Sequence, residues 1–293
     1  MKACLIQKTL KIRMMKKINI LQLKAILTLI VLINIAILSV AQQKKIDVTY
    51  IANAGFLIES SGKQIIIDAL FNQGWDNYLI PTDSIVSDII TQQPPFNNSN
   101  LMLITHHHGD HFNASMVVAC LINNPEIVLI APPNVTNTIL KHPDYAKFES
   151  QIVEVDNLTT KKNDTTIQGI RVRSFFIQHD SRPNIENVGY LIDIDGNTVF
   201  HSGDYNGTEV VEFEKLQLQN EDIDLALLNF YGFWSTKEER EFAVKYINPK
   251  NIILTHIPPA ETEIVKDSVK QIHDFIDITV FESSMDNKSF LYD

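Results

Sequence analysis

From Ile46 onward, short apolar runs of strand length alternate with amphipathic stretches of helical period. The runs Ile46 to Ile51, Gly55 to Glu59, Gln64 to Asp68, Leu101 to Thr105, Ile127 to Ile130 and Thr166 to Ile177 predict strands. So do Val188 to Asp193, Thr198 to Phe200, Ile223 to Leu228, Ile252 to Thr255, Ile278 to Phe281 and Ser289 to Tyr292. Apolar spacing predicts helices over Thr82 to Thr91, Ser115 to Leu121, Val135 to Leu140, Val210 to Leu218, Lys237 to Tyr246 and Glu261 to Phe275. The fifth helix is preceded by two capping-box spacings, Ser235 with Glu238 and Thr236 with Glu239, and Asn248-Pro249 ends it. Ser60-Ser61-Gly62-Lys63 and Asp195-Gly196-Asn197 read as hairpin turns. Early strands joined by tight hairpins imply antiparallel sheet, and the later strand-helix-strand order implies crossovers with helices packed outside. A mixed α/β sandwich of two sheets flanked by helices satisfies both. No low-complexity linker divides residues 42–293, which read as one domain.

Residues 1–41 follow a different pattern. They carry seven basic residues (Lys2, Lys8, Lys11, Arg13, Lys16, Lys17, Lys24), no acid, and then the apolar run Ala25 to Leu38. Ser39-Val40-Ala41 has the small residues at alternate positions that a signal peptidase prefers, so the segment reads as a signal peptide cleaved after Ala41. Translation from Met14 or Met15 would give such a segment the ordinary length. The competing reading is an uncleaved anchor, but the run is interrupted by Asn34 and is shorter than the roughly 20 residues that span a bilayer comfortably. The expected location is periplasmic or secreted, with membrane contact only if the segment is retained.

Removing that segment sharpens the charge. The whole chain has 25 Lys/Arg against 35 Asp/Glu; without the seven basic residues the balance is about −17. So acidic a domain repels nucleic acid but does not forbid a small anionic substrate, because a metal pair and one well-placed Arg can invert the local potential; the expected partner is a small-molecule substrate. Of the two cysteines, only Cys120 lies beyond residue 41, in the apolar helical stretch Met116 to Leu121; it reads as inert core with no intrachain disulfide.

The chemistry concentrates in Thr105-His106-His107-His108-Gly109-Asp110-His111, which leaves the end of the apolar strand Leu101 to Ile104. In an extended segment side chains two apart share a face, so His106 and His108 converge on one ion while His107 points away. Gly109 lets Asp110 and His111 turn toward a neighbouring one. An accidental polyhistidine run or a tag would not need the Asp and the fourth His in register. Imidazole and carboxylate donors without cysteine suit Zn(II), with Mn(II) or Fe as alternatives, in an open rather than a closed structural site. A hydrolytic pair of ions about 3.5 to 4 Å apart needs roughly six protein ligands. Three further strand ends supply them: His179 after Val172 to Ile177, Asp204 after Thr198 to Gly203, and His256 after Asn251 to Thr255.

The order His-x-His-x-Asp-His, then His, then Gly-Asp, then Thr-His resembles the metallo-β-lactamase superfamily over essentially all of residues 42–293. The resemblance implies a four-layer αβ/βα sandwich with the metal site at one edge of the two sheets. It also implies that His106, His108 and His179 hold the first ion, that Asp110, His111 and His256 hold the second, and that Asp204 bridges them. A bridging hydroxide would be the nucleophile, and Asp110 would receive its proton. The phrases Val48 to Ile58, Asn187 to Ile192 and His201-Ser202-Gly203-Asp204 are similar to the branch containing L-ascorbate-6-phosphate lactonase and N-acylphosphatidylethanolamine phospholipase D. The bridging Asp204 and the absence of a cysteine ligand set the chain apart from true β-lactamases. Di-iron oxygen or NO reductases usually place a Glu where His108 stands and carry a flavin domain.

Around this set, Asp68 is read either as an acid orienting a ligand histidine or as a turn cap. His201 is read as a neighbour of the ligands or as simply buried, and Arg182 as a contact for an anionic substrate group or an ordinary loop arginine. His142 and His273 are expected to be solvated. Trp75, Tyr78, Phe230, Tyr231, Phe233 and Trp234 are expected on loops, half of them walling a pocket and half in the core. The function expected is an exported hydrolase with two divalent ions that cleaves an ester, lactone or phosphodiester bond. The alternatives are amide hydrolysis of the β-lactamase type and a binding or scaffold protein that keeps the centre for stability.

Overall fold

Hairpins feed parallel crossovers twice along the chain. The first half runs β1 (Lys44–Ala52), β2 (Gly55–Ser60), β3 (Lys63–Ile67), α1 (Asp83–Ile90), β4 (Ser99–Leu103), α2 (Ala114–Asn123), β5 (Val128–Ala131), α3 (Pro133–Ile139) and β6 (Ile152–Glu154). The second runs β7 (Asn163–Ile167), β8 (Ile170–Phe176), β9 (Val188–Ile194), β10 (Asn197–His201), α4 (Val210–Leu216), β11 (Leu225–Asn229), α5 (Phe230–Phe233), α6 (Lys237–Tyr246), β12 (Asn251–Thr255), α7 (Thr262–Lys270) and β13 (Asp277–Thr279). A last strand, β14 (Asn287–Tyr292), returns to pair antiparallel with β1. This computed structural model describes residues 44–75, 77–155, 163–179, 184–205, 210–271 and 277–292, together with Leu23, Lys24 and Thr28. The chain divides into Met1–Gln43 and Lys44–Asp293. In the first unit Leu23, Lys24 and Thr28 are helical. The expected cleavage at Ala41 lies outside the described residues, as do Arg182 and His273.

The sheets are ordered β14-β1-β2-β3-β4-β5-β6 and β13-β12-β11-β10-β9-β8-β7. Pairing is antiparallel through β3 in the first half and through β10 in the second, and parallel beyond. The expected antiparallel early hairpins and later crossovers are both present, and each half of the chain contains both modes.

Period-two alternation builds the layers. Ile65 and Ile67 of β3, with Leu101 and Leu103 of β4, face Val172, Tyr190, Leu227 and Ile253 of the other sheet in a shared core. The intervening Ile66 and Met102 turn outward onto Ile89, Val117 and Val135 of α1, α2 and α3. Across the sandwich, Leu191, Phe200, Leu228 and Leu254 pack outward onto Phe213, Phe233, Ala243 and Val265 of α4 to α7. The result is the αβ/βα sandwich.

Local signals mostly hold. Thr82 caps α1 and Asn113 caps α2 through their side chains. Thr236 and Glu239 close the capping box of α6, while Ser235 donates to Glu239 rather than pairing with Glu238. The single strand expected over Thr166 to Ile177 is instead the β7/β8 hairpin, because Gln168 (φ 49°) and Gly169 (φ 78°) form a two-residue left-handed turn between apolar runs. The aromatic loop after β11 holds a one-turn helix, α5, capped by Asn229. Phe233 and Trp234 are buried core, Trp75 is 65% exposed, and Tyr78, Phe230 and Tyr231 are half-buried. His142 is half-buried rather than solvated, its Nδ1 accepting from the Asp144 N–H. Cys120 is buried, and burial pushes its thiol up to about 12.

Candidate metal centre

Strand ends deliver every candidate to one edge of the sandwich. The loop after β4 carries His106 to His111, β8 leads to His179, β10 to Asp204 and β12 to His256. The chain bends sharply there: Asn53, Asp68 and His256 lie in the left-handed region (φ 50°, 45° and 60°), a conformation that costs a non-glycine residue about 1–2 kcal/mol. Gly203 does the same at φ 56° just before Asp204.

Two groups of potential donor atoms result, His106 with His108 and His179, and Asp110 with His111, Asp204 and His256; within each, the atoms all lie within 4.8 Å of one another. His107 is exposed and belongs to neither. Asp204 Oδ2 joins the groups: it lies 3.9 Å from His106 Nε2, 3.7 Å from His179 Nε2, 3.2 Å from His111 Nε2 and 2.9 Å from His256 Nε2. Asp110 Oδ2 lies 3.2 Å from His256 Nε2 and 3.8 Å from His111 Nε2. His106 Nε2 and His108 Nδ1 are 3.0 Å apart.

The donor set fits divalent ions. Bonds of about 2.0–2.1 Å to a shared ion place two donors roughly 3 Å apart, close to several of these separations. His111 Nε2, His256 Nε2 and Asp110 Oδ1 are buried yet satisfy no hydrogen-bond geometry, although carboxylate oxygens stand close to both rings. Buried polar atoms rarely go unpaired. Atoms that converge without being aligned for one another could serve a common ion.

The opposite edges of the rings are fixed by the protein. Asp68 accepts from the Thr105 N–H at 2.8 Å and the Thr105 hydroxyl at 2.6 Å. Its Oδ2 also lies 2.8 Å from His111 Nδ1, so the carboxylate accepts a hydrogen bond from the Nδ1–H and turns the lone pair of Nε2 into the site. Thr105 Oγ1, having donated to Asp68, accepts from His106 Nδ1 at 3.0 Å and orients that ring in the same way. Asp68 therefore orients a histidine. His201 is fully buried but spent on backbone: Nδ1 accepts from the Gly203 N–H and Nε2 donates to Ala54 O, which fixes the turn leading to Asp204.

Electrostatics separate the two histidine groups. Burial and the neighbouring His111 ring hold His106 well below the usual imidazole range. Burial and His179 push His108 down to about 4. Burial opposes the charged form of His111 and His256 too, but Asp204 with Asp68 carries His111 well up, and Asp204 with Asp110 carries His256 up to about 9. Both carboxylates are lowered against their own burial, Asp110 chiefly by the His256 contact and Asp204 chiefly by His111.

Sequence reasoning assigned no role to the asparagines, and placed Tyr78 only as a loop aromatic that could wall a pocket. Asn53 Nδ2 donates to Asp110 Oδ2 at 3.1 Å, Asn229 Nδ2 reaches Asp204 Oδ1 at 3.3 Å, and Asn187 Oδ1 accepts from the Asp204 N–H at 3.1 Å. Asparagine at a turn or strand end has too many ordinary uses to stand out. Tyr78 sets its ring edge-on to His256, with centroids 4.3 Å apart.

The profile of the beta-lactamase superfamily domain matches residues 63–270. A UPF0173 metal-dependent hydrolase of Thermococcus kodakarensis is 26% identical over 219 residues, 72% of this chain and 84% of that protein. Among solved structures, Igni18, a metallo hydrolase from Ignicoccus hospitalis, superposes with TM-score 0.57 at 18% identity, covering 85% of this chain and 100% of its own. CmlA, a diiron β-hydroxylase from Streptomyces venezuelae, superposes with TM-score 0.54 at 11% identity, covering 85% of this chain and 54% of its own. These two share the fold, and one of them does different chemistry.

Proposed function

The chain belongs to the beta-lactamase superfamily domain family, and from that premise we propose that it is a metal-dependent hydrolase with a dinuclear centre. His106, His108 and His179 would hold one ion, Asp110, His111 and His256 the second, and Asp204 would span them. The observation that carries this reading is the position of Asp204 Oδ2, within 4 Å of a ring nitrogen from both groups. A donor set of imidazole and carboxylate favours Zn(II), with Mn(II) or Fe as alternatives. Such ions, when bound, supply Lewis acidity that polarises a substrate oxygen and acidifies water.

The chain's own residues supply orientation and proton handling. Asn53 fixes one carboxylate oxygen of Asp110, and the other, Oδ1, has no hydrogen-bond partner. Asp110 can therefore take a proton through Oδ1 without losing its orientation. Asp68 and Thr105 hold two rings in the tautomer that faces inward. The bond cleaved is an ester, lactone or phosphodiester, in keeping with the L-ascorbate-6-phosphate lactonase and N-acylphosphatidylethanolamine phospholipase D branch that the sequence phrases resemble. The protein is exported, with residues 1–41 as its signal.

Metal-quantified protein assayed on an ester, lactone, phosphodiester and β-lactam panel, with and without chelator, tests the proposal. Two ions per chain and chelator-sensitive turnover of one of the first three classes are expected. A ratio fixed at one after saturation overturns the dinuclear centre; metal-loaded protein inert on the whole panel favours the scaffold reading.

A further inference from the structure

The geometry points to a groove beside His256 that binds an uncharged apolar group of the substrate; as the subsite of a hydrolase, it rests on the function proposed above. The segment Asn77 to Ile80 forms one wall and Pro258 to Glu261 the other of an open groove of about 550 Å³. That is the size of a small-molecule site. Leu79, Ile80, Pro258, Pro259 and Ala260 supply the apolar part of a mixed lining that also includes Asn77, Tyr78 and Glu261, and Ile80 stands 44% exposed there. Tyr78 links groove to centre, because it lines the groove and lies edge-on against His256. Pro258 is only two residues beyond that histidine.

Charge narrows the occupant. The one charged side chain among the described lining residues is Glu261, which accepts from the Tyr231 hydroxyl at 2.8 Å. Within the groove the Glu261 carboxylate meets no cation among the described lining residues. An anionic tail in the groove would be repelled, and an uncharged alkyl or acyl group would gain from every CH₂ it buries.

Photolabelling of the full chain with an uncharged alkyl diazirine, with the labelled peptides mapped by mass spectrometry, tests this independently of turnover. The expected result is enrichment on the peptides bearing Leu79-Ile80 and Pro259-Ala260. Decanamide should compete at about tenfold lower concentration than decanoate, the repelled anion. Ile80→Asp and Ala260→Asp should each reduce labelling there about tenfold, while Ile264→Asp, at a 70% exposed apolar position outside the groove, should not. No enrichment on the two walls, equal competition by decanoate, or labelling indifferent to both groove variants would overturn the proposal. Turnover of the metal-loaded chain is read separately. Groove labelling without hydrolysis of any panel substrate would remove the hydrolase reading alone, and hydrolysis without groove labelling would remove the groove alone.

Discussion

Individual residues differ in what they hold. Asp110→Asn removes a proposed ligand and proton acceptor while keeping the side chain's volume, so kcat should fall at least about a hundredfold with the fold intact. His107→Ala, at an exposed ring belonging to neither donor group, should be nearly silent on the same substrate. Equal losses would show the motif to be read in the wrong register. Asp68→Ala leaves His111 Nδ1 and Thr105 without their acceptor, and metal affinity should drop about 10- to 100-fold in a competition titration with a chelating dye. The pKa shifts give a further test. His256 is raised to about 9, so its ring carries a second proton at pH 7 in metal-free protein; Asp204 and Asp68 shift His111 in the same direction. Ligation requires the neutral ring, and metal loading at pH 7 must expel that proton. His108, lowered to about 4, has none to give. Proton release followed with a weakly buffered indicator should therefore be marked at pH 7 and shrink as the pH rises past about 9; release independent of pH would contradict the assignment.

At the scale of elements, strand ends and the turns after them set the site's precision. The turn from β10 to Asp204 depends on Gly203: with φ at 56°, a Cβ there would stand 2.2 Å from Asn187 Oδ1 and 3.0 Å from Thr105 Cβ. Asn187 is the residue whose Oδ1 holds the Asp204 N–H. Gly203→Ala should therefore cost roughly 2 kcal/mol or more in urea denaturation, from backbone strain and overpacking together, and should also weaken metal binding because Asp204 is displaced. Stability loss with unaltered metal affinity would mean that the turn supports the fold without aiming the carboxylate. Helices carry none of the candidate ligands; they cover the outer faces and hold the strands in register.

At the scale of the whole molecule, two halves of like construction bring their loops to one edge. The first contributes His106, His108, Asp110 and His111, and the second His179, Asp204 and His256. Bound ions tie the halves together, so chelation should lower Tm, in proportion to the logarithm of metal concentration over the dissociation constant. A Tm indifferent to chelator would place the donors in a site too weak to couple to folding. Export belongs to this scale also. N-terminal sequencing of the native protein should find Gln42 first, because the basic region, the apolar run and Ser39-Val40-Ala41 together suit a cleaved signal. An intact N-terminus in the membrane fraction would replace the signal with an anchor. Among the described residues no helix is long and apolar enough to cross a membrane.

Legible along the chain are the alternation of strands and helices, the seven candidate ligands and the reading that sets His107 aside. Those follow from periodicity and from residue types whose chemistry is narrow. The sequence did not determine the β7/β8 break, where left-handed Gln168 and Gly169 interrupt one continuous apolar signal, nor the one-turn helix at Phe230, where aromatics suit core and loop equally. Tertiary structure alone decided between the two readings of Asp68, since a strand-end acid caps or orients according to what faces it, and here Thr105 and His111 do. It also decided the parts played by Asn53, Asn229 and Tyr78. Each acts through a partner far along the chain, Asp110, Asp204 and His256, and contacts of that range depend on how the sheets stack rather than on any local pattern.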